Sequence, residues 1–153
     1  MTMTTNQVIA AQASWGNGVA AIGKAQDPQA AAKRFVDDFY AYDIGKVLFK
    51  PTRAKEVPFR ATKEAAVSYF VTGMIPEDKG FCLVPYAAWI DTVRFENAGI
   101  IINDDSALAM GHYYFSTTEG KESKVEYSFA YVKDQHGKLK INLHHSALPY
   151  NGE

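Results

Sequence analysis

At 153 residues the chain has room for one domain with a core of its own and no need of disulfide or metal staples. Sixteen Lys and Arg against seventeen Asp and Glu leave a net charge of −1, which argues against a nucleic-acid partner and against a dense acidic tail. A single cysteine excludes an internal disulfide framework, and no apolar run approaches the ~18 residues of a membrane span, so a cytoplasmic setting with no membrane partner is expected.

Residues 6–24 place Val8, Ile9, Trp15, Val19 and Ile22 near one helical stripe, with Gly16-Asn17-Gly18 expected to break or kink it. Asp27-Pro28 is a start signal, an aspartate cap followed by proline at the first helical position. Ala32, Phe35, Val36, Phe39 and Tyr40 then follow the helical period. A connector holding Pro51 and Pro58 leads to Thr62, which caps a short helix running through Thr72 with Ala66, Tyr69, Phe70 and Gly73 on one stripe. From Phe81 the period changes to two. Strands are predicted at 89–102, 107–117, 124–133 and 138–146, joined by turn-forming segments at 103–106, 118–120 and 134–137, with Gly99 marking a bulge or bend.

Helices followed by a strand meander give an α+β domain: a strongly bent antiparallel sheet of about four to six strands wrapped around N-terminal helices, enclosing a cone-shaped pocket. The whole of 1–153 reads as one domain, with 1–26 a helical extension and 27–150 the cone. The aromatic-rich strands still present apolar side chains on the face away from the helices, which predicts a homodimer through the sheet.

In the last strand, alternation puts Leu139, Ile141, Leu143 and His145 on one face and Lys140, Asn142, His144 and Ser146 on the other, at a rim closed by Pro149. Adjacent strand residues point opposite ways, so His144 and His145 cannot ligate one ion; His112 and His136 lie elsewhere and no zinc spacing exists, so no metal is expected. Ser146 has no nucleophile elbow, and Gly16-Asn17-Gly18 is not a dinucleotide fingerprint, so no cofactor is expected. Cys82, in an apolar run without a basic neighbour, reads as a buried small hydrophobe. Asp91 and Glu126 could be general bases, but strand alternation leaves such carboxylates on solvated faces. Thr52, Tyr69, His144 and Ser146 remain. On the residues alone, a buried structural network and a site are equally compatible with them.

The segment His144-His-Ser-Ala-Leu-Pro-Tyr150 resembles the His-His-Ser-Ser-x-Pro signature of the iota-class carbonic anhydrases, relatives of the calcium/calmodulin-dependent kinase association domain within the nuclear-transport-factor-2-like superfamily. Val47-Leu-Phe-Lys-Pro-Thr52, Pro58-Phe-Arg-Ala-Thr62, Ser68-Tyr-Phe70, Gly111-His-Tyr-Tyr-Phe115 and Glu126-Tyr-Ser-Phe129 agree in order and spacing, so the resemblance spans about residues 27–150. Ala147 departs from the second serine of the signature, and Gly111-His112 from a Gly-Asn pattern, a change expected to alter a pocket wall. The resemblance implies reversible hydration of carbon dioxide to bicarbonate, without a metal in several members, with Thr52, Tyr69, His144 and Ser146 as the polar pocket residues. In that reading the hydroxyls orient the water and His144, with an unperturbed pKa of about 6.5, takes its proton. Two rivals remain: an acid/base isomerase or dehydratase of a small hydrophobic molecule, which needs a carboxylate aimed inward, and a non-catalytic oligomerisation module.

Overall fold

The structure is a computed structural model that describes residues 2–83 and 90–152. Each helix starts where a short polar side chain can satisfy its first free amides. Thr4 caps α1 (Thr5–Lys24) in a reciprocal box with Gln7. Asp27 accepts from the Ala30 amide ahead of α2 (Pro28–Phe39), and Thr62 accepts from the Ala65 amide ahead of α3 (Lys63–Val71).

The expected break in α1 does not occur. Glycine in a helix interior costs about 1 kcal/mol relative to alanine, but here it permits contacts that a side chain would block. A Cβ at Gly16 would sit 3.1 Å from the Val93 carbonyl oxygen, and one at Gly18 would sit 2.7 Å from the Phe35 ring. The glycines thus let α1 press against the sheet on one side and α2 on the other. The buried stripe also differs in one place: Ile9 is 47% exposed, whereas Gln12, one turn after Val8, is buried. Gln12 is hydrogen-bonded to Asn97 and Tyr127, which explains why an amide holds a core position.

Five strands form one sheet in the order β1-β5-β4-β3-β2. The four predicted ones, β2 (Ile90–Asn103), β3 (Ser106–Thr117), β4 (Glu122–Lys133) and β5 (Leu139–Ala147), are antiparallel neighbours. The expected start at Trp89 lies outside the described residues. β1 (Leu48–Lys50) lies in the segment read as a connector and pairs parallel to β5, so the sheet is mixed. Three residues are too few for a periodic signal. Bulges bend the strands. β2 has two extra residues: Asp91, between the pairs Ile90↔Thr117 and Thr92↔Ser116, and Ala98, between Asn97↔Gly111 and Gly99↔Met110, next to the glycine that suggested a bulge.

A bulge in β5 overturns the predicted faces of that strand. The pairs Ala130↔Leu143 and Tyr131↔Ile141 leave Asn142 as the extra residue. Alternation is reset there, so Ile141, His144 and Ser146 all face the helices, while His145 points outward. α1 packs across β2, and Trp15, from the segment read as an extension, lies buried among Phe35, Tyr113 and Phe129.

Gly111 is the most closely approached of the described glycines. A Cβ there would stand 2.3 Å from the Glu96 carbonyl oxygen, inside the β2 bulge. Gly111→Ala should therefore destabilise the fold by about 1–3 kcal/mol or more, read as a lower urea midpoint with an unchanged slope.

Candidate active site

The register of the sheet assembles the site. Phe49 on β1 is opposite His144 on β5, and their rings stack with centroids 4.8 Å apart. Phe129 on β4, also in register with His144, meets the imidazole edge-on at 4.4 Å. After β1, Pro51 turns the chain so that Thr52 Oγ1 lies 2.5 Å from Ser146 Oγ. Tyr69, in the last turn of α3, accepts from the Arg53 amide at 3.4 Å, next to Thr52 in the chain. Thr52, Tyr69, His144 and Ser146 thus come together. They do so in the interior, not at a rim: His144 is 3% and Ser146 1% exposed.

Three participants escaped the sequence reading. Tyr40 Oη lies 2.8 Å from His144 Nδ1, and Trp15 Nε1 donates to that same Tyr40 oxygen at 3.2 Å. Tyr113 Oη lies 3.0 Å from His144 Nε2 and also bonds Ser146 Oγ. Trp15 and Tyr40 stood on predicted helical stripes as apolar residues, and Tyr113 sat within a quoted motif. Their polar atoms could have been flagged, because a buried indole or phenol needs a partner. Which partner is a non-local fact. His112 faces outward from β3 beside Tyr114, so the departure at that position does not alter the pocket wall.

Burial decides the electrostatics. Removal from water holds His144 well below the usual imidazole range, with neighbouring His145 adding to the effect. The same desolvation raises the phenols of Tyr40, Tyr69 and Tyr113, and the Cys82 thiol. Every one of these groups is therefore neutral near pH ~7. Cys82 is buried, as expected. Asp91 is exposed beside Lys24 and Glu126 lies on the solvated face of β4, so neither carboxylate enters the pocket. That removes the observation the isomerase reading required. Among the described residues, no group of three or more His, Cys, Asp or Glu side chains is placed to hold a metal ion.

The loop carrying Thr52 is fixed from below. Arg60 is fully buried and binds Asp78 through two nitrogens at 2.7 and 2.8 Å, with further bonds to the carbonyls of Val57 and Ala65. Ser68 donates to the same Asp78 carboxylate at 2.6 Å. Arg60 and Ser68, both inside quoted motifs, are scaffold: they lock the 51–62 loop onto α3. Above them lies a small void of about 10 Å³ bounded by Thr52, Tyr69, His144 and Ser146. It adjoins a largely apolar pocket of about 80 Å³ that shares Thr52, Phe81 and Phe115 with it.

The family of metal-independent carbonic anhydrases matches residues 6–148. This chain belongs to that family. A metal-independent carbonic anhydrase from Nostoc sp. is 40% identical over 97% of this chain and 75% of its own length. The crystal structure of a cyanobacterial iota-carbonic anhydrase complexed with bicarbonate superposes with a TM-score of 0.91, at 38% identity, over 98% of this chain and 94% of that one. A putative dehydratase of the nuclear-transport-factor-2-like family from Streptomyces avermitilis, 12% identical over 95% of both chains with a TM-score of 0.59, shares the fold alone. The carbonic anhydrase family and the cone-like α+β fold inferred from the sequence are thereby established.

The buried imidazole has a consequence for stability. In the unfolded chain His144 regains a value of about 6.5, so below that pH unfolding takes up a proton the fold refuses. Stability should fall as the pH drops through this region, by up to about 1.4 kcal/mol per pH unit, until the folded imidazole itself protonates. Above about pH 7.5 this group should contribute no slope. Urea unfolding of the wild type and His144→Gln at several pH values checks this: the wild type should show the steeper acid loss.

Proposed function

We propose that this member of the metal-independent carbonic anhydrase family interconverts carbon dioxide and bicarbonate at Thr52, Tyr69 and Ser146, with His144 holding them in place. The observation that carries the assignment is the convergence of three hydroxyls on the small void beside an apolar pocket. A void of this size suits one water, which needs at least ~10–15 Å³ and two or more polar partners. The adjoining pocket, walled by Phe81, Phe115, Ile90 and Val125, suits an apolar linear molecule. Thr52 belongs to both, so the two reactants would meet at its hydroxyl.

A metal would bring the pKa of its water from ~15.7 to ~7; in this family the hydroxyls must act instead. As the water oxygen forms its bond to carbon, one of its protons passes to a neighbouring hydroxyl oxygen. That hydroxyl gives its own hydrogen to the carbon dioxide oxygen gaining charge. One O–H bond breaks and one forms at each hydroxyl, the product is carbonic acid, and its ionisation to bicarbonate follows. No ion has to be created in the dry interior. His144, assigned above as the proton acceptor, is better suited by its suppressed basicity to act as a neutral imidazole that fixes Tyr113 and, through it, Ser146. Bicarbonate bound to the cyanobacterial relative supports the substrate assignment.

Tyr69→Phe deletes one hydroxyl and keeps the ring that stacks on Phe81. Turnover in a stopped-flow hydration assay should fall by about 10²–10³, with the unfolding midpoint little changed. Treatment with chelator should leave wild-type activity intact. Full activity in Tyr69→Phe would make the constellation structural.

A homodimer is part of the same proposal. Leu48, Leu143, Ala130, Leu108 and Ile101 stand in register across all five strands on the face away from the helices, with Leu48, Leu108 and Ile101 each about half exposed. Such a continuous apolar row fits a second copy of the same face. Sedimentation at micromolar concentration should give a species of twice the chain mass, and Leu108→Glu should reduce it to one chain. The lone buried thiol fits a reducing compartment, and the cytoplasm is the location we propose; no helix among the described residues is long and apolar enough to cross a membrane.

A further inference from the structure

We propose that a polar pocket bordered by Arg53, Tyr69, Lys79 and Phe81 is an anion-binding mouth of the site. Bicarbonate enters and leaves there, while carbon dioxide uses the apolar pocket that shares Phe81 with it. The inference rests on the functional reading above for the identity of the anion.

Three cavities meet at Phe81. It borders the small void between the hydroxyls, the apolar pocket, and the polar pocket of about 190 Å³ beside segment 77–81. Thr52 and Phe115 are common to the void and the apolar pocket, whereas Tyr69 is common to the void and the polar one. Each pocket thus shares a different hydroxyl residue with the void. Phe81 is held at the junction by its amide, which donates to the Tyr69 carbonyl at 2.9 Å. Its ring stacks on Tyr69 and meets Phe115 edge-on, each at 5.4 Å.

The two pockets differ in the charge they can hold. Arg53 borders both, but the apolar one has no second cation, and an anion there would lose hydration with little in return. The polar pocket adds Lys79, which is exposed and makes no ion pair among the described residues. Its two carboxylates are already engaged. Glu77 accepts the Lys55 and Val57 amides at 2.8 and 2.7 Å, one on each oxygen. Asp78 is neutralised by the buried Arg60 and accepts from Ser68. Three cations thus stand against two carboxylates, and the pocket keeps a net positive charge. Tyr69 is the second, independent observation. It is 6% exposed, its Oη accepts from the Arg53 amide, and no hydrogen bond among the described residues takes its own hydrogen. A buried phenol requires an acceptor, and an anion oxygen at the boundary of void and pocket supplies one. Carbonic acid formed at the hydroxyls passes Tyr69, its O–H bond breaks towards water in the pocket, and bicarbonate is left opposite Arg53 and Lys79. Dehydration runs the same steps backwards.

The test uses nitrate, a planar monoanion of bicarbonate's shape that cannot be turned over. It is titrated into the 15N-labelled full chain at fixed ionic strength. The amides of Lys79, Gly80 and Phe81 should shift to saturation. Lys79→Gln and Arg53→Gln should each weaken this binding by about 2- to 5-fold, the scale of an exposed ion pair. Lys79→Glu should weaken it further, and Lys24→Gln, which does not border the pocket, should leave it unchanged. In stopped-flow assays nitrate should compete with bicarbonate in dehydration and not with carbon dioxide in hydration. Its inhibition constant should rise in Lys79→Gln by the same factor, whereas a purely structural lysine would move the unfolding midpoint instead. No saturable shift at these amides, or equal affinity in Lys79→Glu, would overturn the anion site. Nitrate that binds there without competing with bicarbonate would overturn the pocket as its route. The titration needs no turnover, so an inactive wild type that binds nitrate would defeat the functional reading and leave the anion site standing.

Discussion

The structure depends on one buried, neutral imidazole. His144 lies between Phe49 and Phe129 with both ring nitrogens bonded to phenols, in a place where a charged group would be strongly penalised. Those two bonds connect α1 and α2 on one side to β3, β5 and the 51–62 loop on the other. A protonated imidazole would break the pattern at one end, because it has two hydrogens to give and no lone pair to receive a phenol. Core and candidate site are therefore the same object here, and the polar groups proposed for the chemistry are also groups that must be satisfied for the chain to fold.

Two irregularities make this arrangement available. The extra residue Asn142 turns His144 and Ser146 inward on the same side as Ile141. The short parallel strand β1 brings Phe49 against the imidazole and delivers Thr52 to Ser146. Lys50, half-buried at the end of β1, donates to the Ser146 carbonyl at 3.0 Å and holds the two strand ends together. The buried Arg60–Asp78 pair completes the frame by fixing the loop between β1 and α3. Such a pair is weak evidence of net stability, since desolvation offsets much of its attraction. Its geometric effect is plain: Asp78 ties Arg60 and Ser68 together, Tyr69 follows Ser68 in α3, and Thr52 lies in the loop that Arg60 anchors.

Much of this was legible in the residues. Thr62 and Asp27 announced their helices, the change to period two announced four strands, and the His-His-Ser segment identified the family. What misled the reading had local causes. Gly16 and Gly18 looked like breaks because propensity records the cost of a glycine and not the neighbour that requires it. Ile9 and Gln12 exchanged places because the side of α1 facing Asn97 and Tyr127 offers hydrogen bonds to an amide. The faces of β5 were misassigned because alternation assumes an unbroken ladder.

By itself the sequence determined the local choices: where helices begin, which segments are strands, that no cysteine pair was available, and, through the family resemblance, which four polar residues to look for. Each follows from spacing and side-chain type within a few residues, which the chain states directly. The tertiary structure decided the rest: that β1 joins β5, that Asn142 is the bulged residue, that Tyr40 and Tyr113 take the two ring nitrogens of His144 with Trp15 bonded to Tyr40, and that the candidate site is buried. Those are properties of pairs separated by as many as 104 residues, and only closure of the sheet around the helices brings such pairs within bonding distance.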